Sequence, residues 1–178
     1  LLGGISAYQD GDFSHDRFCE VYQSELMNGI GNLTSRIITM LEKYSDSKVP
    51  AEAANLFDTE GFWKTYNDSM AEYAFHNVVH NIQTLVTACD TTISNEKPWE
   101  AVRQGKDVAP LLYQLAEGLR HIALALLPII PDTAHSIFNQ LGIDYTQLGA
   151  LSTEKVWGGI KPGTVVNKTG ILFPRLES

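Results

Sequence analysis

The sequence predicts an all-α protein, a bundle of about five helices followed by a non-helical C-terminal tail. Apolar residues recur at spacings of three or four over long stretches, and proline and glycine punctuate the blocks between them. That periodicity stops near Gly142, after which loop chemistry takes over. A chain of 178 residues, 44% hydrophobic and 19% charged, has the composition of one globular domain with a real core.

Asp10-Gly11-Asp12 is a turn signal, Ser14 is the expected N-cap after it, and Asp16 suits the first helical turn. Phe18, Tyr22, Leu26, Ile30, Leu33, Ile37, Leu41 and Tyr44 then form one apolar stripe, which predicts a continuous helix of roughly 30 residues. Val49-Pro50 ends the connection after it. A second long helix is expected from about Thr59 to Thr92, carrying Trp63, Tyr66, Met70, Tyr73, Asn77, Leu85 and Cys89. Ser94-Asn95 breaks it, and Pro98 suits the first turn of a short third helix. Asp107 is the expected cap of a fourth, striped by Leu111, Leu115, Leu119, Ile122 and Leu126. Pro128 and Pro131 stop and restart the chain, and a fifth helix runs to Gly142. The helical bundle is thus expected over 5–142 and an irregular tail over 143–178, with Gly158-Gly159, Lys161-Pro162-Gly163 and a short extended segment from Ile171 to Arg175.

Several classes are excluded at this level. The longest apolar run, Ile122 to Ile130, contains Pro128 and falls well short of the ~20 residues that a membrane helix needs. Leu1-Leu2-Gly3-Gly4 has neither the basic start nor the apolar stretch of a signal peptide, and a chain beginning at Leu reads as a segment of a longer one. Two cysteines, Cys19 and Cys89, are too few for a disulfide scaffold and fit a reducing cytosol. A net charge of −8 argues against gripping long stretches of nucleic-acid backbone, yet leaves room for a small base-reading surface.

No phosphate-binding glycine loop and no paired CxxC motif is present. His76-Asn77-Val78-Val79-His80 places two imidazoles one turn apart, but Asn77 stands where a zinc-protease signature needs Glu. Polar helix-face histidines are the plainer reading. Cys89 beside a core helix stripe reads as a small buried hydrophobe.

The first helix holds the most informative polar set. Asn28, Asn32 and Arg36 are spaced four apart, so an α-helix aligns them as a ladder on one side. Gly29 and Gly31 fall between Asn28 and Asn32, although a mid-helix glycine costs roughly 1 kcal/mol relative to alanine. Close approach of another helix explains them, and so does close approach of a base or ribose. Pro98 fixes the backbone beside Trp99, so the indole stands at a rigid corner. It either caps the end of the core or presents a platform for an unpaired base.

Taken in order, these segments resemble the C-terminal anticodon-binding domain of methionyl-tRNA synthetases. The resemblance runs through Asp10-Gly11-Asp12-Phe13-Ser14, through Asn28-Gly29-Ile30-Gly31-Asn32-Leu33-Thr34-Ser35-Arg36, and through Lys97-Pro98-Trp99. It continues in Leu126-Leu127-Pro128-Ile129-Ile130-Pro131, Trp157-Gly158 and Leu172-Phe173-Pro174-Arg175, and so spans nearly the whole chain. At Cys89-Asp90-Thr91-Thr92 the chain departs from the family, which carries an Asn and an aromatic there.

The resemblance implies a single helical domain that binds the CAU anticodon of tRNA(Met), with Asn32 and Arg36 reading bases, Trp99 after Pro98 stacking, and Asn28 as a weaker carry-over. It implies a fragment of a methionine–tRNA ligase that carries no catalytic residues, binds no cofactor or metal itself, and relies on a catalytic domain outside this chain for ATP and magnesium. The implied setting is cytoplasmic, with tRNA as partner and neither DNA nor membrane. A helical protein-interaction module and the anticodon domain of another class I synthetase are the alternatives.

Overall fold

The computed structural model describes residues 14–175. The Asp10-Gly11-Asp12 turn and the start of the expected 5–142 bundle lie outside them. Ser14 caps the first helix, its side chain accepting from the Arg17 N–H. Helix then runs without interruption to Tyr44 in three stretches: α1 (His15–Val21), a π-helical segment (Tyr22–Gly31) and α2 (Asn32–Tyr44). α2 buries Leu33, Ile37, Ile38, Met40 and Leu41, as its apolar spacing requires.

The π-helical segment changes one expectation. Its hydrogen bonds span five residues where an α-helix spans four, so the ladder holds as an α-helical step only between Asn32 and Arg36. The segment contains both Gly29 and Gly31. A Cβ on Gly31 would stand 3.1 Å from the Phe173 ring and 3.1 Å from the Leu26 carbonyl oxygen. At Gly31, packing against the tail therefore accounts for the missing side chain.

The second long helix is two. α3 (Thr59–Ala71) is capped by Asp58, whose Oδ1 accepts from the Gly61 N–H at 2.9 Å. α4 (Phe75–Glu96) starts after a turn in which Tyr73 adopts φ 55° and the Ala74 N–H bonds back to Ser69. The expected single helix from Thr59 to Thr92 fails here because an aromatic residue takes a left-handed conformation that neither glycine nor asparagine announces. α5 (Pro98–Arg103) opens on proline, as expected. α6 (Ala109–Leu126) begins one residue late for an Asp107 N-cap, although the Asp107 carboxylate still accepts from the Ala109 N–H at 2.8 Å. α7 (Pro131–Gln140) follows, and Gly142 turns the chain at φ 72°. A 3₁₀ turn (Tyr145–Gln147) and α8 (Leu151–Glu154) are the named elements of the tail.

α6 is the axis of the bundle. Every residue from Leu115 to Leu126 is buried, with α2, α4 and α7 packed around the helix. Gly118 lets α4 and the 45–58 connection close in, since a Cβ there would meet Cys89 Sγ and the Phe57 ring at 3.1 Å each.

Three charged or polar residues inside that apolar run hold the tail. Glu117 accepts from Arg120 at Nε and Nη2 (3.0 and 2.6 Å) and from the backbone N–H groups of Gly158, Gly159 and Ile160, each at 2.9 Å. Arg120 also donates to the carbonyls of Glu154 and Val156. His121 Nδ1 accepts from the Trp63 indole at 2.8 Å, which places the imidazole proton on Nε2, facing Glu117. Burial alone would raise the Glu117 pKa. Hydrogen bonds from His121 and Arg120, the Arg120 charge and the Ile160 N–H reverse that and bring it to about 2. Burial, with the Arg120 charge beside it, lowers the His121 pKa against the opposing pull of Glu117.

Beyond this clamp the tail pairs with the 47–49 connection, through Val49 N–H to Thr164, Gly163 N–H to Val49 and Val166 N–H to Ser47. Its residues 173–174 lie against the π-helical segment, where the Tyr22 hydroxyl donates to the Pro174 carbonyl and Phe173 meets the Tyr22 ring edge-on.

Candidate nucleic-acid interface

Asn28 and Asn32 are exposed. The backbone N–H of Asn32 is shared between the Gly29 and Met27 carbonyls, so it sits at the junction where π turns give way to α. One turn on, Arg36 leaves the apolar stripe with its side chain 31% exposed. Its Nη1 donates to Asp90 Oδ1 on α4 at 2.5 Å. Burial raises the Asp90 pKa, with the Arg36 charge and hydrogen bond pulling against it.

Seven residues after Asp90, α4 ends at Lys97, which turns the chain with φ 43°. At the α-helical rise those residues advance about 10 Å along the axis. Pro98 is buried at the first position of α5, while Trp99 beside it is 38% exposed. The corner is thus anchored through proline and presents the indole.

His76 and His80 lie elsewhere. With Ser24, Glu25, Val79 and Gln83 they line an open cleft of about 270 Å³ beside the π-helical segment. Among the described residues no group of three or more His, Cys, Asp or Glu side chains is placed to hold a metal ion. Cys89 is fully buried, as a small hydrophobe in the core would be, and burial with the neighbouring Asp90 charge pushes its thiol pKa up. Among the described residues no helix is long and apolar enough to cross a membrane.

Two groups escaped sequence reasoning. Asp90 sits where the chain departs from the resembled family, 54 residues from the arginine it pairs with, and no local pattern joins them. Glu117 and Arg120 did carry a signal, being charges three apart within an apolar helix, a spacing that brings side chains together.

The helical bundle belongs to a class of domain found in tRNA ligases. The family described as the anticodon-binding domain of tRNA ligase matches residues 56–157, and the chain belongs to it. Its relatives in that class include methionine–tRNA ligases. It is 34% identical to that of Streptomyces coelicolor over 99% of its own length and 36% of the relative. It is 33% identical to that of Enterococcus faecalis over 99% of its length and 28% of the relative. The chain therefore spans about a third of the length of the curated relatives it matches. The fold is similar to part of the apo methionyl-tRNA synthetase of Mycobacterium tuberculosis, with a TM-score of 0.88 at 23% identity over 99% of this chain and 38% of that one. A second structure of the Mycobacterium tuberculosis enzyme, in complex with methionyl-adenylate, aligns with a TM-score of 0.81. The matched span includes Asp90, Pro98 and Trp99, whereas Asn28, Asn32 and Arg36 precede it.

Proposed function

We propose that this chain reads the CAU anticodon of tRNA(Met) on behalf of a methionine–tRNA ligase, whose catalytic domain attaches methionine using ATP and magnesium in the cytoplasm. The observation that carries this reading is the partly exposed Trp99, set beside a buried proline. An anticodon loop splays its bases outward, which frees one face of a base for stacking and its Watson–Crick edge for reading. Trp99 supplies the stack. Arg36 and Asn32 supply edge contacts: the guanidinium offers planar donors, and the amide offers one donor group and one acceptor. Asn28, on the π-helical turns, is a secondary contact.

The charge balance agrees with this division of labour. A chain of net charge −8 is poorly suited to non-specific phosphate binding, so its affinity for RNA has to come from bases. In the proposed setting the single helical domain, bundle and tail together, holds no cofactor or metal, and its partners are the tRNA and the catalytic domain.

The test is a titration of the chain and of Arg36→Lys with a CAU stem-loop and with a loop changed at its first anticodon base. An ammonium cannot reproduce the planar fork of a guanidinium, so Arg36→Lys should bind CAU more weakly and discriminate less. Equal binding of both loops by both proteins would leave a protein-docking role as the better reading of Trp99.

A further inference from the structure

Arg36 reaches Asp90 across the α2–α4 contact with a single nitrogen, Nη1. Among the described residues its Nε and Nη2 make no further hydrogen bond, and the side chain is 31% exposed. This is a one-point contact on a group built for two-point contacts. A guanidinium presents parallel in-plane donors along its Nε–Nη2 edge, a geometry that matches two adjacent acceptors on a planar partner. The contact at Nη1 restrains where the group sits and, among the described residues, leaves that edge open. Charge matters as well as geometry. An unpaired arginine on an exposed helix face attracts backbone phosphate whatever the sequence. A carboxylate 2.5 Å away cancels most of that attraction and leaves the directional donors in place.

We propose that Asp90 is a positioning and specificity residue: it pins Nη1 of Arg36 so that the Nε–Nη2 edge meets paired acceptors on an unstacked base, and it suppresses sequence-independent phosphate binding. This rests on the reading of Arg36 as a base-contacting residue. Asp90 itself touches no RNA in this account and acts through Arg36.

Asp90→Ala and Asp90→Asn separate the two effects, because asparagine keeps an oxygen acceptor for Nη1 but carries no charge. Dissociation constants are measured for the whole chain and both variants, with a CAU stem-loop and a loop changed at the first anticodon base, at several salt concentrations. Asp90→Ala should lose most of the preference for CAU, a fall of about tenfold for one well-made edge contact. Asp90→Asn should restore that preference. Both variants should bind the changed loop more tightly at low salt, with a salt dependence steeper by about one phosphate contact. Thermal melts accompany each protein, and if Asp90→Ala does not fold, the salt slope of Asp90→Asn decides. A purely structural ion pair would lower the melting temperature and leave preference and salt slope as in the unaltered chain, and that result overturns the inference while the anticodon reading stands. If the unaltered chain itself fails to discriminate, both fall together.

Discussion

Glu117 and Arg120 face each other three residues apart on α6, their charged groups 2.6 Å apart at 0% and 1% side-chain exposure. Removing one partner of a buried pair typically costs 3–5 kcal/mol, because the other charge stays behind uncompensated. Glu117→Gln should lower stability by that order at neutral pH and loosen residues 158–160 first, since their N–H groups converge on the same carboxylate. Denaturant melts with hydrogen exchange at those amides check this. Unchanged stability would mean that the tail does not depend on the clamp.

The same carboxylate sets an acid limit. Its pKa is about 2 in the fold against an ordinary 4.5. A depressed carboxylate pKa contributes stability that is complete above the unfolded value and lost as pH falls toward the folded one. About 3 kcal/mol should therefore drain away between pH 4.5 and pH 2. In Glu117→Gln that portion of the pH profile should flatten. An unaltered slope would place the acid sensitivity in other groups.

The two cysteines should differ sharply toward a thiol reagent. Cys89 is 0% exposed with its thiol pKa pushed up by burial, while Cys19 is only partly buried on α1. The thiolate is the reactive form, so one thiol per chain should react in the native protein and the second only on unfolding. Rapid reaction of both would contradict the packing of Cys89 against Gly118.

Leu119→Ala should damage the fold far more than Arg36→Ala. Leu119 is fully buried mid-stripe, where truncation costs about 2–5 kcal/mol. The Arg36–Asp90 pair is about 30% exposed on both sides, and pairs with that much solvent access contribute about 0–1 kcal/mol. Thermal melts in the reverse order would make Arg36 a structural residue.

Trp99→Ala should leave the fold intact and weaken every stem-loop that binds by about 1–3 kcal/mol, the usual value of one aromatic–base stack. Stacking tolerates any base, so the preference between loops should be preserved, unlike in Arg36→Lys. Loss of stability in this variant would instead make the indole a cap on the core.

The main helices were legible because burial imposes a period. The stripe from Phe18 to Tyr44 predicts one continuous helix of roughly 30 residues, and helix runs from His15 to Tyr44 in the structure. The π-helical turns within it were not legible, since a spacing of three or four does not report which carbonyl an N–H reaches. The break at Tyr73 escaped for a different reason: Glu72-Tyr73-Ala74 contains no turn residue, yet Tyr73 takes a left-handed backbone between two helices that pack on each other. At the candidate site, Trp99 and its proline corner could be read locally. The partner of Arg36 could not, because it comes from another helix 54 positions away. The Glu117 clamp shares that cause, its amide donors lying 41 to 43 residues further along the chain.

The most direct test of the central claim is the ratio of two dissociation constants for the unaltered chain, one for a CAU anticodon stem-loop and one for the same stem-loop with its first anticodon base changed. The account predicts tighter binding of CAU by about tenfold or more, equivalent to about 1.4 kcal/mol of edge reading. A ratio of one would contradict it.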